Sequence, residues 1–229
     1  MFPDLEVRPA DSPLVERIWR SHSLGPGTFT SISVVSWSMV ISSHQGRVSI
    51  SVHGPETKAN RKHVPACLEW FGIEFKLGAY MPCLPPGSIT DRCVTLPEAG
   101  KHTFWLAGST WRFPDYENAD IFVDRLMRED LLARDSAASA TTQDKPTMSL
   151  RARQYRVLRS TGLSQRTIRQ IKRARLAATL LKRGMPILDT VTEAGYSDQP
   201  HLTRSLKRFI GCTPAEIPTA PIVALNDFE

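Results

Sequence analysis

Hydrophobic and polar positions alternate with period two between Phe29 and Gly78, which predicts strands. Val48, Ile50 and Val52 stand against Ser49 and Ser51, and Phe71, Ile73 and Phe75 stand against Gly72, Glu74 and Lys76. One apolar and one polar face per strand implies an antiparallel sheet or small barrel. The stretch from Met81 to Gly108, with Pro82, Pro85, Pro86 and Pro97, reads as irregular connection with one short strand at Cys93 to Leu96. The period then changes: over residues 115–132, Ala119, Phe122, Val123, Leu126 and Met127 recur at helical spacing, so one amphipathic helix trails the sheet. That helix either pairs with its copy in a homodimer or packs on the sheet, and the pattern allows both.

Residues 135–147 are small and polar and read as a linker or as a weak first helix of the last third of the chain. Beyond them the pattern predicts consecutive helices. Residues 149–161 form one, ended by Gly162. Ser164 caps a long one reaching Lys182 or Arg183, with Ile168, Ile171, Leu176, Ala177, Leu180 and Leu181 as its apolar set. PILDTVTEAG gives a short helix turning at Gly195, and Ser197 or Asp198 caps a last helix to about Ile210. Pro200 fits that helix's first turn, and Gly211 and Pro214 end it. Residues 218–229 read as a loose tail. The expectation is therefore an α+β chain of two domains: an antiparallel β-rich domain with a trailing helix at 1–134, and an all-α domain at 148–217.

Charge separates the same two parts. Residues 1–147 carry 15 basic and 17 acidic side chains, whereas residues 148–229 carry 14 and 6. A net −2 beside a net +8 points to a polyanion-binding module attached to a nearly neutral one. No apolar run approaches a membrane span, and the start lacks the pattern of a signal peptide, so a cytoplasmic location is expected. The four cysteines form no CxxC pair; free, mostly buried thiols are the expectation, with no metal site or cofactor.

A short helix, a glycine turn and a capped second helix make a helix-turn-helix, whose second helix enters the major groove. Leu202, Leu206, Phe209 and Ile210 take one face, expected to pack on Ile187, Leu188 and Val191. Gln199, His201, Thr203, Arg204, Lys207 and Arg208 are left outside. Gln and Arg have bidentate geometry for adenine and guanine edges, and Lys207 and Arg208 suit phosphates. A solvated charged face is the competing account, and the conjunction of turn, caps and charge favours duplex DNA.

Arg173, Ala177, Leu180 and Leu181, followed by AGYSDQPHLTRSLKRFIGCTP, closely resemble the C-terminal region of AraC/XylS-type transcriptional regulators over about residues 148–217. The resemblance implies two helix-turn-helix units joined by the long helix, presenting recognition helices to successive major grooves about 34 Å apart. It implies base reading by Gln199, Thr203 and Arg204 in the second unit and by Arg151, Gln154 and Tyr155 in the first. His201, Lys207, Arg208, Arg156 and Arg159 would meet the DNA backbone. Tyr155 stands where the family usually has arginine, and Arg153 stands where it usually buries an aliphatic side chain. Residues 64–100 resemble the sensing region of some of these regulators, with Leu77 replacing a proline. That implies an effector-binding or dimerisation domain and, with it, a small-molecule effector, a homodimer and a contact with RNA polymerase.

The same residues admit other functions. His44, His53, His63 and His102 lack the spacing of a β-barrel metal site, and HExxH, GxSxG and phosphate-loop motifs are absent, so no catalytic residue and no enzyme activity is expected. Cys67, Cys83 and Cys93 as metal or oxidant sensors stand against buried hydrophobes. Trp37, Trp70 and Phe75 line an effector pocket or form core. Attachment of the basic third to an anionic membrane would need a broad apolar face, which these capped helices do not show.

Overall fold

The computed structural model describes residues 5–135 and 149–220. The expectations for a weak helix at 135–147 and a tail at 218–229 fall almost wholly outside them. The first part is β-rich and antiparallel, and the second is helical.

A six-stranded sheet is built in the order β1-β2-β7-β4-β5-β9 from β1 (Leu5–Arg8), β2 (Val15–His22), β4 (Ser38–His44), β5 (Arg47–His53), β7 (Leu68–Phe75) and β9 (Cys93–Thr95). Its pairs are antiparallel, as with Ile41 opposite Ile50 and opposite Phe71. Period two then does what it predicts: Met39, Ile41, Ile50, Val52, Phe71, Ile73 and Phe75 share one buried cluster. A hairpin of β11 (Thr103–Leu106) and β12 (Ser109–Arg112) adds Phe104, Leu106 and Trp111 to that cluster. Helix α1 (Ala119–Arg128) adds Phe122, Val123 and Leu126. Within this chain, therefore, the helix packs on the sheet domain's core. It is shorter than expected: Asp115 and Asn118 close a side-chain turn before it, and Asp130 at φ 55 ends it.

The opposite sheet face is covered by a two-stranded ribbon of β3 (Gly27–Ser31) and β6 (Asn60–Val64), with Phe29 opposite Lys62. Between sheet and ribbon lies a cavity of about 250 Å³. Trp19 lies flat over Gly72 there, so closely that a Cβ at Gly72 would sit 2.3 Å from the indole ring.

Four helices follow among the described residues: α2 (Leu150–Thr161), α3 (Gln165–Lys182), α4 (Ile187–Glu193) and α5 (Gln199–Phe209). Ser149 and Ser164 cap α2 and α3 by accepting from the amides of Ala152 and Thr167. Ile168, Ile171, Ala174, Ala177, Ala178 and Leu181 make the buried stripe of α3. Leu176, expected in that stripe, is instead 49% exposed. The two parts of the chain are joined by contact: Ile32, just beyond β3, is buried in the helical domain's core, and Thr90 donates from Oγ1 to the carbonyl of Gly162 at 3.4 Å. The cysteines are free, but Cys67, Cys83 and Cys93 are exposed, which corrects the expectation of buried thiols. No helix among the described residues is long and apolar enough to cross a membrane.

Candidate nucleic-acid interface

The sequence between α4 and α5 folds as a turn because Gly195 takes φ 71, a region open to glycine at little cost. Asp198 then caps α5, its carboxylate accepting from the amide of His201 at 2.6 Å. That bond holds the Asp198 carboxyl below its ordinary range. The turn is fixed from α3. Arg173 donates from Nη1 to the carbonyl of Gly195 at 3.1 Å, and its guanidinium lies 4.4 Å from the ring centre of Tyr196. The Tyr196 hydroxyl meets Ser205 Oγ at 2.8 Å on a buried side of α5, and burial pushes that phenol's pKa up.

Leu202, Leu206, Phe209 and Ile210 are buried as expected, against a core containing Val191. Leu188 is not part of it: 69% exposed, it lies on the outer side of α4. On the other face of α5, Gln199, Arg204, Lys207 and Arg208 are exposed, while His201 and Thr203 are half-buried. Thr203 donates from Oγ1 to the carbonyl of Gln199 at 2.9 Å, which fixes its rotamer. His201 is held edge-on against Tyr196, with Nδ1 3.1 Å from Ser197 Oγ.

Helix α2 presents Arg151, Gln154, Tyr155 and Arg159 to solvent. Arg153 is half-buried, as its methylene stem permits. Arg156, expected on the DNA backbone, is instead paired with Asp135 through Nη2 at 2.6 Å and Nε at 3.1 Å, which raises the guanidinium's pKa. The helix packs beside the 3-10 turn Pro86–Ser88 of the β-rich part. Gly162, at φ 72, ends it in van der Waals reach of Gly87.

The far end of α5 carries a feature that sequence reasoning missed. The last carbonyls of a helix lack partners within it. Here the amide of Ala59 donates to the carbonyl of Arg208, and the amide of Ser33 to that of Phe209, each at 2.8 Å. The β3–β6 ribbon thus closes the recognition helix. The donors are backbone groups far away along the chain, and no side-chain pattern announces them.

Of the residues expected in an effector pocket, Trp37 and Trp70 border the cavity beneath the ribbon. Phe75 does not; it is fully buried in the sheet core, stacked on Trp37 with ring centres 3.9 Å apart. Glu74 accepts from Arg17 and from Ser36, both at 2.8 Å, and Glu56 accepts from Lys62 at 2.6 Å and Ser31 at 2.7 Å. His53, with Nε2 2.9 Å from Ser51 Oγ, has its pKa lowered to about 4 by burial and then by nearby Lys62.

Residues 145–219 match the family model described as a helix-turn-helix domain. No curated protein and no solved structure shows a match to the chain. A capped, glycine-turned helix pair with a basic outer face lies on the segment that this model covers, and the two together support a DNA-binding helix-turn-helix domain of AraC type at residues 145–219.

Proposed function

We propose that the chain reads a duplex operator by placing α5 in the major groove, and that residues 1–134 set that activity in response to a signal. The observation that carries the reading is the division of α5 into a buried side and an outer side, the latter carrying exposed Gln199, Arg204, Lys207 and Arg208 with half-buried Thr203 among them. Gln199, Thr203 and Arg204 would read base edges, and Lys207 and Arg208, with His201 near the first turn, would meet phosphates. Helix α2 would offer Arg151, Gln154 and Tyr155 to the neighbouring groove, with Arg159 on the backbone. The work is binding in the cytoplasm, with no cofactor and no catalysis. A small-molecule effector, a second copy of the chain and RNA polymerase complete the partners of this reading.

Selection of binding sites from a random duplex pool by the full chain tests it. A bipartite motif with about ten base pairs between centres is expected. Failure to enrich any motif overturns the reading. Affinity for the selected duplex is also expected to fall steeply with salt, because phosphate contacts release counterions.

A further inference from the structure

The cavity between the sheet and the β3–β6 ribbon combines three features. First, its charges cancel in place. The charged side chains lining it are Arg17, Glu74, Lys62 and Glu56, and they form two ion pairs, each carboxylate also accepting from a serine. A charged guest would lose its hydration and find no counter-charge without breaking a pair. His53, also lining the cavity, is neutral at physiological pH because burial disfavours its cation. Second, the remaining wall is largely aromatic and aliphatic, with Trp19, Trp70, Phe29 and Val40 among its members. Third, one buried polar group in that wall lacks a partner among the described residues: Ser21, 8% exposed, has its Oγ without a hydrogen bond there. A buried hydroxyl left in that condition costs free energy that a guest's polar atom would recover.

The volume, about 250 Å³, is just under the roughly 300–1,000 Å³ of sites for drug-sized ligands, which limits a guest to one or two fused rings. The lid of this cavity is the same ribbon whose flanking residues donate to the last carbonyls of α5, and Ile32, which lines the cavity, is also buried in the helical core. A guest that moves the ribbon therefore acts on the recognition helix through bonded and packed neighbours, without crossing solvent.

We propose that this cavity binds an uncharged, flat aromatic molecule of one or two rings bearing a hydrogen-bonding group, and that its occupancy alters DNA binding through the β3–β6 ribbon. This rests on the reading of residues 1–134 as the sensing part and adds the ligand's chemistry and the route of the signal.

The test uses the full chain and three probes that share one bicyclic ring system, indole, its anionic relative indole-3-acetate and its cationic relative tryptamine, with neutral indole-3-acetamide as the control for side-chain size. By titration calorimetry, indole is expected to bind once per chain, and each charged relative at least tenfold more weakly than indole and the acetamide. Val40→Phe, which fills the cavity, is expected to abolish indole binding. Ser21→Ala, which removes only a hydroxyl and leaves the fold intact, is expected to weaken it several-fold. No indole binding, equal binding of the three probes, or binding undiminished in both variants overturns the site. With the duplex obtained by site selection, saturating indole is expected to change the dissociation constant at least threefold. Ala59→Pro, which removes the amide that donates to the Arg208 carbonyl at a residue that does not line the cavity, is expected to keep indole binding and lose that change. A dissociation constant unmoved by indole in the unsubstituted chain overturns the route through the ribbon. If no duplex is selected at all, the DNA reading fails by itself, and the calorimetry still judges the cavity.

Discussion

The guanidinium of Arg173 lies 4.4 Å from the ring centre of Tyr196 while donating to the carbonyl of the preceding residue, Gly195, at 3.1 Å. One side chain of the long helix α3 thereby fixes the turn that aims α5. Replacing it removes a charge-assisted hydrogen bond and a cation–π contact, together about 1–2 kcal/mol at a partly exposed site. Arg173→Ala is accordingly expected to lower the urea midpoint of unfolding and to weaken binding to every duplex alike. Lysine keeps the charge but not the planar fork, so Arg173→Lys is expected to recover little. Full recovery in the Arg173→Lys variant would show that charge alone holds the turn.

Arg204 and Lys207 share the exposed face of α5 but are expected to differ in kind. A bidentate contact to a base edge discriminates by about 1–3 kcal/mol, whereas a phosphate contact adds affinity for any sequence. Arg204→Ala is expected to relax preference at one base pair of the selected motif. Lys207→Ala is expected to leave the motif unchanged, weaken all duplexes by a similar factor and reduce the salt slope by about one. Identical motifs for the native chain and Arg204→Ala would remove Arg204 from base reading.

Much of this interface is legible in the sequence because it is local. The caps at Ser149, Ser164 and Asp198, the turn at Gly195 and the buried side of α5 all follow from residues within a few positions of one another. What escapes is long-range or locally disguised. Strand β2 is hidden by a register shift between Val15 and Arg17, which interrupts the alternation. The β11–β12 hairpin turns at Ala107 and Gly108, both at positive φ, where an alanine gives no turn signal. Leu131 and Leu132 extend the helical spacing past α1, yet Asp130 at positive φ ends the helix, and the amide of Leu131 returns to the carbonyl of Leu126 at 2.9 Å. Leu176 and Leu188 obey helical periodicity yet stay about half exposed or more.

Gly162 couples the two parts of the chain through space. At φ 72 a Cβ is strained, and at this position it would also lie 2.8 Å from the backbone of Pro86 and Gly87 and from Thr90 Oγ1. Backbone atoms cannot rotate away as a side-chain tip can. Gly162→Ala is expected to cost about 2 kcal/mol or more, from the left-handed conformation and the clash together. Thr90→Ala, which removes one of the obstructing groups, is expected to restore only part of that loss, because the clashes with Pro86 and Gly87 persist. Urea unfolding of the two single variants and the double variant measures this coupling, and strict additivity would show that the contact is not felt.

His53 makes the stability of the β-rich part depend on pH in a predictable sense. Its pKa is lowered from 6.5 to about 4, chiefly by burial, further by Lys62, and is opposed by Glu56. Between those values the unfolded chain holds a proton on this ring that the folded chain does not. Unfolding therefore takes up a proton in that window, and stability falls as pH falls from 6.5 toward 4. The full shift corresponds to about 3 kcal/mol, all of it retained above pH 6.5 and progressively lost below. His53→Gln keeps a hydrogen-bonding side chain of similar reach without the titration. Urea midpoints at about pH 7.5 and about pH 4.5, either side of most of that window, are expected to differ clearly more for the native chain than for His53→Gln. An equal difference in both would place the acid sensitivity on other groups.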